Sequence, residues 1–120
     1  MLLEHYYIQA GFPSPAERSG GERLSLDALV VTRPEATFFM KMESDALYGE
    51  GIFEDDVLVV DRSVVPCVGA LVVAHVDGGF VARRLRRRAD TFTLIDGDRT
   101  IVCDESVIIW GVVTYTLHKC

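Results

Sequence analysis

The sequence predicts a single, mostly β domain: a folded sheet or barrel with one or two short helices behind an extended N-terminal arm. Three observations carry that expectation. The chain has 120 residues, about half of them apolar, which is enough for one core and not for two. The apolar residues fall in strand-sized blocks, none near the roughly 20 that a membrane helix needs. Gly- and Asp-rich turn signals separate those blocks at close spacing.

Taken in order, residues 1–23 show little periodicity and carry Gly11, Pro13, Pro15, Gly20 and Gly21, so they are expected to form an extended arm. The β domain is then expected over 24–120. Ser25 is placed to cap a short helix over Leu26–Val31, with Pro34 stopping it from downstream. Strands are expected at Ala36–Met42, at Asp56–Asp61 between two carboxylates, and at Ala70–Val76. The Asp77-Gly78-Gly79 turn joins the last of these to Phe80–Arg87 as a hairpin. Thr91–Ile95 precedes an Asp96-Gly97-Asp98 turn, and Ile108–Leu117, interrupted by Gly111, reads as a final strand.

The formal charge of −6 repels a phosphate backbone, so direct binding to duplex DNA is not expected. Arg83, Arg84, Arg86, Arg87 and Arg88 are a local exception. A single-strand nucleic-acid contact would need interleaved aromatic residues, so a solvated strand edge protected by charge is the better account of that patch. Cys67, Cys103 and Cys120 are odd in number and lack metal-type spacing. They point to a reducing, cytoplasmic compartment, with no disulfide framework and no zinc site, and Cys67 and Cys103 are expected to be buried. No secretion signal, membrane segment or cofactor motif is visible at this level. His75 falls in an expected strand and reads as structural, and Glu54, Asp55 and Asp56 read as a solvated turn.

Four blocks resemble one family. Gly11-Phe12-Pro13-Ser14-Pro15-Ala16 is similar to the segment after the cleavage site of UmuD proteins. Lys41-Met42-Glu43-Ser44-Asp45-Ala46-Leu47, followed by Gly51-Ile52 and Asp55–Asp61, resembles the serine-bearing block of the UmuD/LexA group, the S24 peptidases. Asp77–Leu85 resembles the lysine-bearing hairpin, and Trp110-Gly111-Val112-Val113 the closing strand. The blocks stand in family order at family spacing.

The resemblance implies a LexA/UmuD C-terminal-like fold and a serine–lysine dyad that cuts its own chain. That chemistry needs a hydroxyl nucleophile beside a neutral amine, and burial lowers the lysine pKa so that it takes the hydroxyl proton. Here the serine position is Ala46, which has no hydroxyl, and the lysine position is Arg83, which stays protonated. The bond matching the scissile bond is Ala10-Gly11. Ser44, two positions from Ala46, is displaced by several ångströms, more than catalysis tolerates.

The family reading therefore becomes a catalytically inactive interaction protein of the SOS and translesion-synthesis system. It implies a homodimer, or a heterodimer with a UmuD-like protein, contacts with a UmuC-type polymerase and the RecA filament, and no cofactor. The C-terminal strand region Ile108–Leu117 is where family dimers meet. The alternative is a self-cleaving serine peptidase that acts through non-standard residues at Ala10-Gly11. Only ten residues precede that bond, so no separate helix-turn-helix domain is expected ahead of it.

Overall fold

The computed structural model describes residues 25–120, and the chain divides into two units, Met1–Val31 and Thr32–Cys120. The expected arm and its Ala10-Gly11 bond lie outside the described residues. In the first unit, helix α1 spans Leu26–Val30. Ser25 caps it as its residue type demands: the Ala28 N–H donates to Ser25 Oγ at 3.3 Å, and the Leu29 N–H donates to Ser25 O at 3.0 Å.

The second unit is one antiparallel seven-stranded sheet. Its strands are β1 (Thr37–Lys41), β2 (Val57–Asp61), β3 (Leu71–Val76), β4 (Gly79–Arg88), β5 (Thr91–Asp96), β6 (Arg99–Val102) and β7 (Ile108–Leu117), arranged in the order β1-β2-β7-β3-β4-β5-β6. The sheet is open rather than a closed barrel, because β1 and β6 are its two edges.

Local chemistry explains the connections. Val76 pairs with Gly79, so Asp77 and Gly78 form a two-residue turn, with φ of 50° and 81°. Those positive values define the hairpin turn that an Asp-Gly pair favours. The sequence signal at Asp96-Gly97-Asp98 marked a turn but not its partner. Asp96 pairs with Arg99, and β6 is the strand that the reading missed, because Arg99–Val102 is only four residues long and polar at its start.

The sheet has cores on both faces. One cluster gathers Met42, Leu47, Ile52, Leu58, Val60, Leu71, Val73 and Ala82 beneath the loop that links β1 to β2. The other gathers Val72, Ala74, Leu85, Leu94 and Val112. Side chains alternate along a strand, so Ala82 and Leu85, three apart, face opposite sides. Strand β4 therefore serves both cores.

Strand β7 does the same with the help of two bulges. Against β2 the register moves from Val59↔Tyr115 to Val60↔Val113, leaving Thr114 extra. Against β3 it moves from Val73↔Gly111 to Ala74↔Ile109, leaving Trp110 extra. A bulge re-aims side chains, and here Trp110 and Val113 pack on the first cluster while Ile109 and Val112 serve the second. Gly111 does not interrupt the strand. A Cβ on it would lie 2.6 Å from Val60 Cγ1, so close packing selects glycine there.

Three expectations are corrected. Cys67 is exposed and Cys103 half-buried, because Cys67 lies in the loop before β3 and not in a strand. The arginine-rich stretch is not in an edge strand: Arg84–Arg88 pair with β5, although β3 pairs with β4 only as far as Arg84. Asp56 is not solvated but only 3% exposed.

Candidate active-site cleft

The loop from Met42 to Asp56 carries the position that the resemblance assigned to the nucleophile. Its ends are tied together: the Met42 N–H donates to Asp56 O at 2.8 Å, and the Asp55 N–H donates to Met42 O at 2.7 Å. Met42, Leu47 and Ile52 anchor it in the first core. Ala46 is exposed beside buried Leu47, and its N–H donates to Ser44 Oγ at 3.4 Å. The backbone at this position is thus held by packing, while the side chain that points outward is a methyl group.

A cleft of about 600 Å³ opens between this loop and the β3–β4 hairpin. Met40, Lys41, Met42, Glu43 and Ser44 line one side, and Phe80, Val81, Ala82 and Arg83 the other. The fold therefore brings Arg83 and the residues just ahead of Ala46 to one cavity, although Ala46 itself is not in the lining. Each wall has one flank without a strand partner: β1 pairs with β2 alone, and Gly79–Ala82 pair with β3 but precede the stretch of β4 that pairs with β5.

Arg83 is fixed by its surroundings. Its Nε donates to Asp96 Oδ1 at 3.0 Å and its Nη1 to Ala82 O at 2.8 Å. The side chain is 13% exposed and that of Asp96 30%. A charge-assisted bond of this kind in a partly buried site holds the guanidinium in place. Arg84 leaves the same strand on the other face, where its Nε donates to Glu50 and its Nη1 to Gly69 O at 3.1 Å. Two arginines of the basic patch are thus neutralised by carboxylates. Arg87 bonds Ala89 O and lies 3.6 Å from Asp90.

Ser44 and Lys41 share the cleft wall. Lys41 is exposed, and the described hydrogen bonds do not join it to Ser44. Ser44 acts instead as an acceptor in its turn. His75, read as structural, pairs with Phe80 across the hairpin, the two rings 5.3 Å apart.

Two features escaped the sequence reading. The first is an aromatic row on the cleft side of the sheet. Phe38 and Phe80 flank Trp110 at 5.1 and 5.5 Å, and the Arg62 guanidinium lies 4.4 Å from the indole centroid. The second is the buried carboxylate of Asp56, which accepts from the Phe53 N–H at 2.9 Å and from His118 Nδ1 at 2.5 Å. The Phe53 N–H, followed by His118, holds the Asp56 carboxyl below its usual range. No signal in the sequence links residues so far apart.

An open antiparallel sheet with a hairpin-walled cleft under an anchored loop defines the class. The Peptidase S24-like family model matches residues 2–114, and the chain belongs to that family. Among known proteins it is similar to Protein ImpA of Salmonella typhimurium, 38% identical over 115 residues that span 92% of this chain and 79% of the relative. Protein MucA of Escherichia coli is 38% identical over 120 residues, with the same coverage. LexA repressor 1 of Xanthomonas campestris pv. campestris is 35% identical over 89 residues, 73% of this chain and 43% of the repressor.

Proposed function

We propose that this chain is a non-cutting member of the family that serves as a dimeric interaction subunit in SOS mutagenesis, where it modulates a UmuC-type polymerase. The observation that carries the reading is the state of the two dyad positions. Ala46 offers no nucleophile, and the guanidinium of Arg83 is bound to Asp96 and the Ala82 carbonyl. A base must give up its proton before it can take one, and arginine does not do so in a protein. Losing either group stops the serine–lysine reaction.

What survives is suited to holding rather than cutting. Each wall of the cleft has one open strand flank, and such edges accept an extended peptide by main-chain hydrogen bonds. The arm around Ala10-Gly11 is the segment whose small residues suit it. The aromatic row supplies a contact surface: Phe38 is 43% exposed and Phe80 51%, and Ile108, at the start of β7, is 58% exposed. Exposed aromatic side chains with a flanking arginine match the composition of interface cores. A homodimer, or a heterodimer with an active UmuD-like protein, is the arrangement that would cover them.

The test has two parts. The purified full chain, incubated from neutral to alkaline pH, is expected to keep its arm, as read by intact mass. A fragment beginning at Gly11 would overturn the non-cutting reading. Tagged protein captured from DNA-damaged host cells is expected to bring down a UmuC-type polymerase or an active UmuD-like protein. Recovery of neither, from well-folded bait, would remove the mutagenesis role.

A further inference from the structure

The dyad has two lost positions by sequence, and the structure points to a third residue that keeps it lost. Strands β4 and β5 pair with Arg84 opposite Ile95. One step further along the same antiparallel register, Arg83 stands opposite Asp96, and residues directly opposite each other project to the same face. The contact is realised as the 3.0 Å bond from Arg83 Nε to Asp96 Oδ1. A basic side chain at position 83 therefore has a carboxylate within hydrogen-bonding reach.

The other neighbours of position 83 do not offset this. Val72, its partner on β3, is apolar and fully buried. Among the charged residues that line the cleft with Arg83, Lys41 and Glu43 are both exposed and of opposite sign. Arg84 points to the opposite face and is bound to Glu50. Among the described residues, Asp96 is the charged side chain bonded to Arg83, and Arg99 stands opposite Asp96 on β6.

Resting on the non-cutting reading above, we infer that Asp96 is a positioning residue that holds whatever base occupies position 83 in its cationic form and turned toward β5. A lysine acting as a base must be neutral, and a carboxylate within about 4–6 Å favours the charged form instead. Putting serine and lysine back at positions 46 and 83 would thus leave cleavage weak at neutral pH. Removing the Asp96 charge would release it.

The experiment compares the full chain carrying Ala46→Ser and Arg83→Lys with the same chain carrying Asp96→Asn as well. Cleavage at Ala10-Gly11 is followed across pH. The expected result is a pH–rate profile shifted down by about one unit or more when Asp96 is removed, in line with the effect of losing a close opposite charge. Coincident profiles would overturn the inference.

A second measurement decides the matter even if neither chain cuts. Lysine labelled with 13C is titrated by NMR in Arg83→Lys and in Arg83→Lys with Asp96→Asn, both retaining Ala46. The lysine at 83 is expected to titrate lower by about one unit or more without Asp96. An unchanged titration would overturn the proposal. Cleavage by the unmutated chain would instead break the non-cutting reading, without bearing on this comparison.

Discussion

His118 reaches back to Asp56, 62 positions earlier, and its Nδ1 lies 2.5 Å from a carboxylate that is itself 3% exposed. An ionised carboxylate only accepts, so Nδ1 carries the proton. The imidazole also lies against Phe53, at 5.1 Å between centroids, and Phe53 against Tyr48 at 5.2 Å. The segment after β7 thereby clasps the loop that holds Ala46.

A pH dependence follows. The folded protein lowers the Asp56 pKa through the Phe53 N–H and then His118. A carboxyl with a depressed folded value adds stability above its unfolded value, about 3.9, and that stability is lost as the pH falls through the folded value. Asp56→Asn is expected to lower the urea midpoint at pH 6, with the gap to the unmutated chain closing below about pH 4. A gap that widened in acid would contradict the assignment.

Gly111→Ala places a methyl group 2.6 Å from Val60 Cγ1, and Val60 is fully buried. Overpacking of this kind costs about 1–3 kcal/mol. Gly49 has open space where its Cβ would stand and an ordinary φ, so Gly49→Ala is expected to be close to neutral. Urea denaturation of the two variants, run side by side, checks both statements.

Phe80 is 51% exposed, so Phe80→Ser removes contact surface with little loss of core. Sedimentation velocity is expected to show the unmutated chain as a dimer and the variant as a monomer, with similar thermal melts. A variant that stays dimeric would shift the interface away from the aromatic row.

Glu50→Gln breaks the pair with Arg84, in which each side chain is 34% exposed. Solvent screens such a pair, so the expected cost is under about 1 kcal/mol and shrinks with added salt. Denaturation midpoints at low and high salt report it.

The sequence disclosed most of the strands because their apolar runs end at turn residues whose backbone preferences are local. Asp77-Gly78 specifies its hairpin on its own, and Ser25 specifies its cap. Features set by distant partners were not legible. The burial of Asp56 depends on His118, the conformation of Arg83 on Asp96, and the place of Trp110 on a bulge against β3. Cys67 looked like a small core residue because its neighbours Val64, Val65 and Val68 are apolar, yet it sits in an exposed loop. The loop and hairpin that wall the cleft were readable as motifs. That Ala46 stands outside the lining depends on how the loop folds over Leu47 and Ile52, which needs the three-dimensional packing.

Strand β7 lies between β2 and β3, joining the β1–β2 pair to the β3–β6 meander. It is made after every other strand, so on the ribosome the two halves must wait as separate, half-covered pieces. The apolar flank of β2, with Val59 and Val60 destined for full burial, stays open throughout that interval. Closing such a long separation is slow, and exposed strand edges invite pairing with other chains. A chain truncated before β7 would leave the β2 and β3 edges without their shared partner, open to pairing with other chains.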